Sequence, residues 1–171
     1  PAENKKFLKQ LLELCTQMWI RTAKTQYDPK IGAEWGYCSA YGIWSPCLPA
    51  RSQEDVAAIL SPELYAEYLL PYEARITDAF DYTVFHMHSS TRLNIYGWKD
   101  FCQKSKISCL EVALDPLGPR VVDLMETLVE INSKKPLILD SYSAKLGDEV
   151  EEHILNFPGS VLHTRWDQTV R

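Results

Sequence analysis

The chain has no run of eighteen apolar residues, so no stretch of it reads as a membrane-spanning helix. It shows no basic start followed by an apolar stretch and a small-residue cleavage site, the pattern of a secretory signal. It has no Cys-x-x-Cys pair. Its five cysteines, at 15, 38, 47, 102 and 109, are odd in number and spaced for neither a disulfide framework nor a four-cysteine zinc site. Read as reduced thiols, they predict a cytoplasmic protein. Positive charge is scarce: 18 Lys and Arg stand against 23 Asp and Glu, a net charge of −5 with no basic cluster. That argues against a nucleic-acid-binding face. No internal repeat or low-complexity tract occurs.

Large apolar side chains, by contrast, are plentiful. Five Trp, nine Tyr and five Phe are too many to leave in water, which argues against disorder. With 46% hydrophobic and 24% charged residues, the 171-residue chain has the composition and length of one soluble globular domain.

Residues 4–26 carry a helical period through Phe7, Leu8, Leu11, Leu12, Cys15, Met18, Trp19 and Thr22, and Asp28-Pro29 and Gly32 are expected to break it. Residues 33–51 read as a strand end and an aromatic ordered loop, and 54–59 as a helical turn. Ser61-Pro62-Glu63 is a helix start, with a capping hydroxyl, a proline at the first position and an acid at the positive dipole end. Its helix continues to Ile76 with a kink or break at Pro71. From there strands are expected at 82–88, 107–114, 136–140 and 159–163, alternating with helices at 97–104, 119–132 and 147–157. That alternation predicts an α/β fold with a parallel sheet.

Functional groups in parallel α/β folds collect at the carboxyl ends of strands. Here those ends offer His86 and His88, Asp115, Asp140 with Tyr142, and His163, whereas His153 is expected to be solvated on an acidic helix. His86 and His88 are two apart in a strand and so share a face. They could hold zinc, bind a carboxylate, move protons, or simply hydrogen-bond the backbone. Asp115 and Asp140 could equally serve as turn and cap residues. Glu111, a charge in an apolar strand, either reaches a site or faces an exposed edge. Trp35, Tyr37, Tyr41 and Trp44 could line a pocket for a flat ligand or pack as core. Cys38 and Cys47 lack a histidine at metal-ligand spacing.

The stretch from Asp55 to Tyr72, with its Ser61-Pro62-Glu63 start and Leu70-Pro71-Tyr72 end, resembles a signature of the uroporphyrinogen decarboxylase superfamily. So do the His-rich strand end from Val84 to Ser90, the strand and turn from Val112 to Pro119, and the strand from Lys135 to Leu139. The resemblance runs over roughly residues 5–165 and implies the C-terminal half of a (β/α)8 TIM-type barrel of roughly 350 residues, within the range of that fold. The start at Pro1, without Met, fits such a piece. The missing N-terminal half or another chain would then complete the barrel, and self-association is expected of its open edges.

The resemblance implies two chemistries. One is zinc-assisted methyl transfer between a corrinoid, carried on a partner protein, and a thiol, in which zinc generates the thiolate. His86 matches the first zinc ligand of that branch, His88 stands where its members have Cys, and Glu111 or His163 could complete the set. The other is decarboxylation of a tetrapyrrole without metal or cofactor. There His163 stands as the counterpart of a late family histidine, and Asp140 and Tyr142 join it and His86 as candidate catalytic residues. Trp35, Tyr37, Tyr41 and Asp115 would bind the small-molecule substrate. A non-catalytic subunit that only completes a barrel is the third reading.

Overall fold

The computed structural model describes residues 4–27, 29–39, 42–53, 55, 59–91 and 106–165. The chain divides into two compact units: residues 1–52, 60–83 and 99–107, and residues 53–59, 84–98 and 108–171. Among the described residues no helix is long and apolar enough to cross a membrane.

The first unit is built on helix α1 (Lys5–Thr25). Helix α1 ends before Asp28-Pro29, as the break in the pattern predicts; Asp28 lies outside the described residues, and Pro29 and Gly32 sit in a separate short helix α2 (Pro29–Trp35). Proline is tolerated in a first turn, where its missing N–H would have no partner anyway. A Cβ at Gly32 would run into the Tyr37 ring, which would have to move. Gly36, at φ 75°, takes the left-handed conformation that ends the helix. Strands β1 (Tyr37–Cys38) and β2 (Trp44–Ser45) then pair antiparallel.

Ser61 caps helix α3 (Pro62–Tyr68), its hydroxyl accepting from the Leu64 N–H at 3.3 Å. The expected break at Pro71 is real. Helix α4 (Leu70–Asp78) restarts after Leu69 with Pro71 in its first turn, where the lost N–H costs nothing. Helix α1 packs on α4. Arg75 makes a two-pronged ion pair with Glu13, and the Tyr72 hydroxyl donates to the Lys9 carbonyl at 3.2 Å.

The architecture is α/β, with a five-stranded sheet in the order β3-β4-β5-β6-β7. Strand β3 covers Pro49–Gln53 and β4 Tyr82–His88. Strands β5 (Cys109–Leu114), β6 (Leu137–Ser141) and β7 (Val161–Arg165) follow, and β4 to β7 pair in parallel. Helix α5 (Val121–Asn132) connects β5 to β6, and α6 (Ala144–His153) connects β6 to β7. Helix α6 begins before Gly147 because the Ser143 hydroxyl accepts from the Leu146 N–H. The helix expected at 97–104 and most of the turn expected at 54–59 lie outside the described residues.

Register partners in a parallel sheet point to the same side. One face therefore carries His86, Glu111 and Ile138 in one row, and His88, Ala113, Asp140 and Thr164 in the next. The other face carries Phe85, Leu110 and Leu137, then Met87, Val112, Leu139 and His163, then Leu114, Ser141 and Arg165. This second face is the one toward α6, because Arg165 reaches Glu151 and the Ala144 carbonyl of that helix. At the amino ends of these strands, Asn132 is a buried clasp. Its Oδ1 accepts from the Gly159 N–H at 2.6 Å and its Nδ2 donates to the Ser160 carbonyl at 2.9 Å.

Candidate metal centre

His86 and His88 come from one strand, and β4 sends both rings to the same side of the sheet. Each ring is held from behind by a carboxylate. Glu111, directly across the register on β5, lies 2.5 Å from His86 Nδ1, and Asp115, just beyond β5, lies 2.8 Å from His88 Nδ1. His86 is 2% exposed and Glu111 fully buried, so their contact is shielded from water. An ionised carboxylate only accepts, so each Nδ1 is placed to donate to the carboxylate behind it, which leaves each Nε2 on the far side of its ring.

Those two Nε2 atoms face each other at 3.2 Å, with the rings edge to face at 86°. Asp55 brings a carboxylate oxygen to 3.4 Å from His88 Nε2. The three ligand atoms of Asp55, His86 and His88 lie within 4.8 Å of one another. Lone pairs and a carboxylate repel at such distances unless a cation or a shared proton lies among them. Zinc bonds of 2.0–2.1 Å in tetrahedral geometry set donors about 3.3 Å apart; the 3.2 and 3.4 Å separations match that spacing, and Asp55, 59% exposed, completes the group from the solvent side. Histidines oriented by carboxylates behind them are the usual outer support of such a centre.

Asp115 is further fixed by its surroundings. Burial alone would raise its pKa. Hydrogen bonds from His88 and from Ser90, whose N–H donates at 3.0 Å, outweigh that and hold the carboxyl below the usual range. Ser89 Oγ accepts from the Asp115 N–H at 2.9 Å, and Gly118 closes the turn by donating to the Asp115 carbonyl. A Cβ on Gly118 would meet Ser89 Oγ at 2.7 Å, so glycine lets this turn close against the serine. Asp115 is thus both a turn residue and a partner of His88.

The other expected residues sort differently. Glu111 is not at an exposed edge, and it stands behind His86 as its support, not beside it as a ligand. His163 is not brought together with the other two strand-end histidines: its register puts it on the α6 face, opposite His86 and His88. There Ser141 Oγ is 2.9 Å from its Nε2, and burial holds its pKa below the usual histidine range, with the nearby Arg165 adding to the effect and Glu151 opposing it. Asp140 is a buried strand residue, not a cap, and shares the face of His88; Tyr142 follows just beyond β6, half-buried. Beside Asp140 in register, Thr164 Oγ1 is buried without a hydrogen-bond partner among the described residues.

Trp35 and Tyr37 belong to the first unit. The Trp35 carbonyl accepts from Trp44 Nε1 at 2.8 Å, and Tyr37 stands edge-on to Tyr27. Tyr41 lies outside the described residues. Cys38 and Cys47 are outside the one three-donor group found among the described residues.

Asp55, the third member of the donor group, is not among the candidate site residues that the sequence offers. It opens the Asp55–Tyr72 block, but its carboxylate meets histidines more than thirty positions further along, which no local pattern reports. No family model, no curated protein and no solved structure matches the chain.

Proposed function

We propose that this chain supplies the zinc-binding face of a TIM-type barrel enzyme, and that the complete enzyme moves a methyl group between a corrinoid and a thiol. One observation carries the reading: Asp55, His86 and His88 converge their ligand atoms within 4.8 Å, with Glu111 and Asp115 bonded to the far nitrogens of both rings. Decarboxylation would need only the proton-moving capacity of the histidines, whereas the convergence of three ligand atoms is used only by a metal, so decarboxylation ranks below methyl transfer. The parallel strands alternating with helices are compatible with part of a barrel. The Asp55–Tyr72 and Val84–Ser90 blocks supply the family expectation.

In this reading His86 and His88 bind through Nε2 and Asp55 through its carboxylate. Glu111 and Asp115 keep both Nδ1 atoms protonated and both rings aimed. Zinc so held would lower a thiol pKa and make thiolate available at neutral pH. Asp140 and Thr164, on the same sheet face as the histidines, are the polar groups offered to a small-molecule substrate. A corrinoid protein is the partner this chemistry requires.

The donor set favours a second reading. Two imidazoles and a carboxylate without sulfur also make up the ligand set of zinc enzymes that activate water for hydrolysis. The test separates them. Elemental analysis of the purified protein is expected to give about one zinc per chain, lost in His86→Ala. Protein without metal at micromolar zinc refutes the centre itself. Metal retained, with no demethylation of a methylcorrinoid by thiols in the complete enzyme, refutes methyl transfer and leaves hydrolysis.

A further inference from the structure

The geometry points to a second function for α1: it is the seam of a two-fold dimer in which α1 pairs antiparallel with α1 of a second copy. The buried face of this helix is marked by Thr16, with Leu12, Trp19 and Ile20 partly covered beside it. Phe7, Leu11, Leu14 and Met18 point the other way. At 3.6 residues per turn they fall within about 40° of the direction opposite Thr16. They remain 64%, 44%, 53% and 58% exposed.

Their spacing of four, three and four residues is the seam of a helix pair. In an antiparallel arrangement centred between Leu11 and Leu14, Leu11 packs on the partner's Leu14, and Phe7 on the partner's Met18, a favourable sulfur–ring layer. The flanks sort as well. Leu8 meets the partner's Cys15, and Gln10 meets the partner's Gln17. Between Phe7 and Met18 no charged residue flanks the seam; exposed Arg21, one step beyond Met18, faces the partner's Asn4, so the two copies bring no like charges together there. The charges of α1 that pair do so away from the seam, Lys5 with Glu67 and Glu13 with Arg75.

The area is sufficient. With roughly 200 Å2 on each such side chain, the five apolar residues, Leu8 included, leave about 500 Å2 per chain. A symmetric pair would cover about 1,000 Å2, the lower bound for a specific interface. Such a dimer is closed by its own symmetry and does not extend into fibres.

Sedimentation velocity of the 19.6 kDa chain between about 1 and 200 μM is expected to show its mass doubling. The Leu11→Glu/Leu14→Glu variant is expected to stay monomeric at the top concentration with unchanged helical circular dichroism. Should that pair perturb folding, Met18→Glu at the seam's edge is expected to weaken dimerisation at least tenfold. Leu8→Cys, mildly oxidised, is expected to link position 8 to the partner's Cys15 in peptide mapping. A wild-type chain monomeric at 200 μM overturns the proposal. So does a dimer that survives both seam variants, or a link joining the two copies' Cys15 residues, which the antiparallel register holds apart. A longer natural form that keeps the seam covered while monomeric also overturns it.

Discussion

Glu111→Gln is the sharpest perturbation of the metal centre. Glu111 is fully buried and its carboxylate sits 2.5 Å from His86 Nδ1, itself in a ring only 2% exposed. Glutamine keeps the volume and can still present an oxygen to that N–H. What it removes is the charge, and with it roughly half the strength of a charge-assisted hydrogen bond. The ring stays in place but becomes a poorer donor at Nε2. Loss of such an outer partner lowers metal affinity about 10- to 100-fold, or about 1.4–2.7 kcal/mol. Glu111→Ala is expected to do more, since it also leaves a buried N–H without its acceptor, at about 1–3 kcal/mol of stability. The assay is zinc competition against a chromophoric chelator at fixed pH, with urea unfolding run in parallel. His163→Ala is the internal control. That residue lies on the opposite face, bonded to Ser141, and its loss is expected to leave zinc affinity within about twofold while costing about 1 kcal/mol of stability. Wild-type affinity in Glu111→Gln, or lost affinity in His163→Ala, refutes the assignment of the two faces.

Other consequences can be measured directly. Burial, with a smaller push from Glu111, raises the Cys109 thiol from 9.0 to about 12, so iodoacetamide at pH 8 is expected to label exposed Cys15 and Cys38 and spare Cys109. Because the folded pKa is the higher one, this thiol's contribution to stability is intact below about pH 9 and is lost as pH climbs to about 12; Cys109→Ala should flatten that decline. Asp115 titrates the other way: its folded pKa is depressed, so its contribution is present at neutral pH and lost as pH falls through the carboxylate range, a loss Asp115→Asn should abolish. Ser61→Ala removes the cap of α3 and is expected to cost about 1 kcal/mol in urea unfolding, whereas Ser61→Asp should retain it.

Much of the sheet is legible in the residues. The strand from Tyr82 to His88 has the boundaries its β-branched and aromatic content predicts, and the two-residue spacing of His86 and His88 places them on one face. Glu111 announces itself as a charge inside an apolar run. What the residues conceal is register. The sequence places His163 at a strand end like His88, yet it lies in the middle of β7 and pairs with Leu139 and not with Ile138, and one step of register exchanges the two faces of a strand. Asp55 is concealed for another reason: its partners stand more than thirty positions along the chain, beyond α3 and α4. In α1 the period is plain, but both sides of the helix are apolar, so period alone does not tell which side meets α4.

Asn132 sets a boundary on what can change in this sheet. With both ends of its amide fastened to the backbone at Gly159 and Ser160, it ties the end of α5 to the approach of β7 at the rim away from the histidines. At the opposite rim the two imidazole rings are held by the side chains of Glu111 and Asp115. Exchanges at His88, Asp115 or Asp55 would therefore alter the donor set without loosening this lower fastening. In evolutionary terms, the sheet is a chassis whose upper fittings are replaceable.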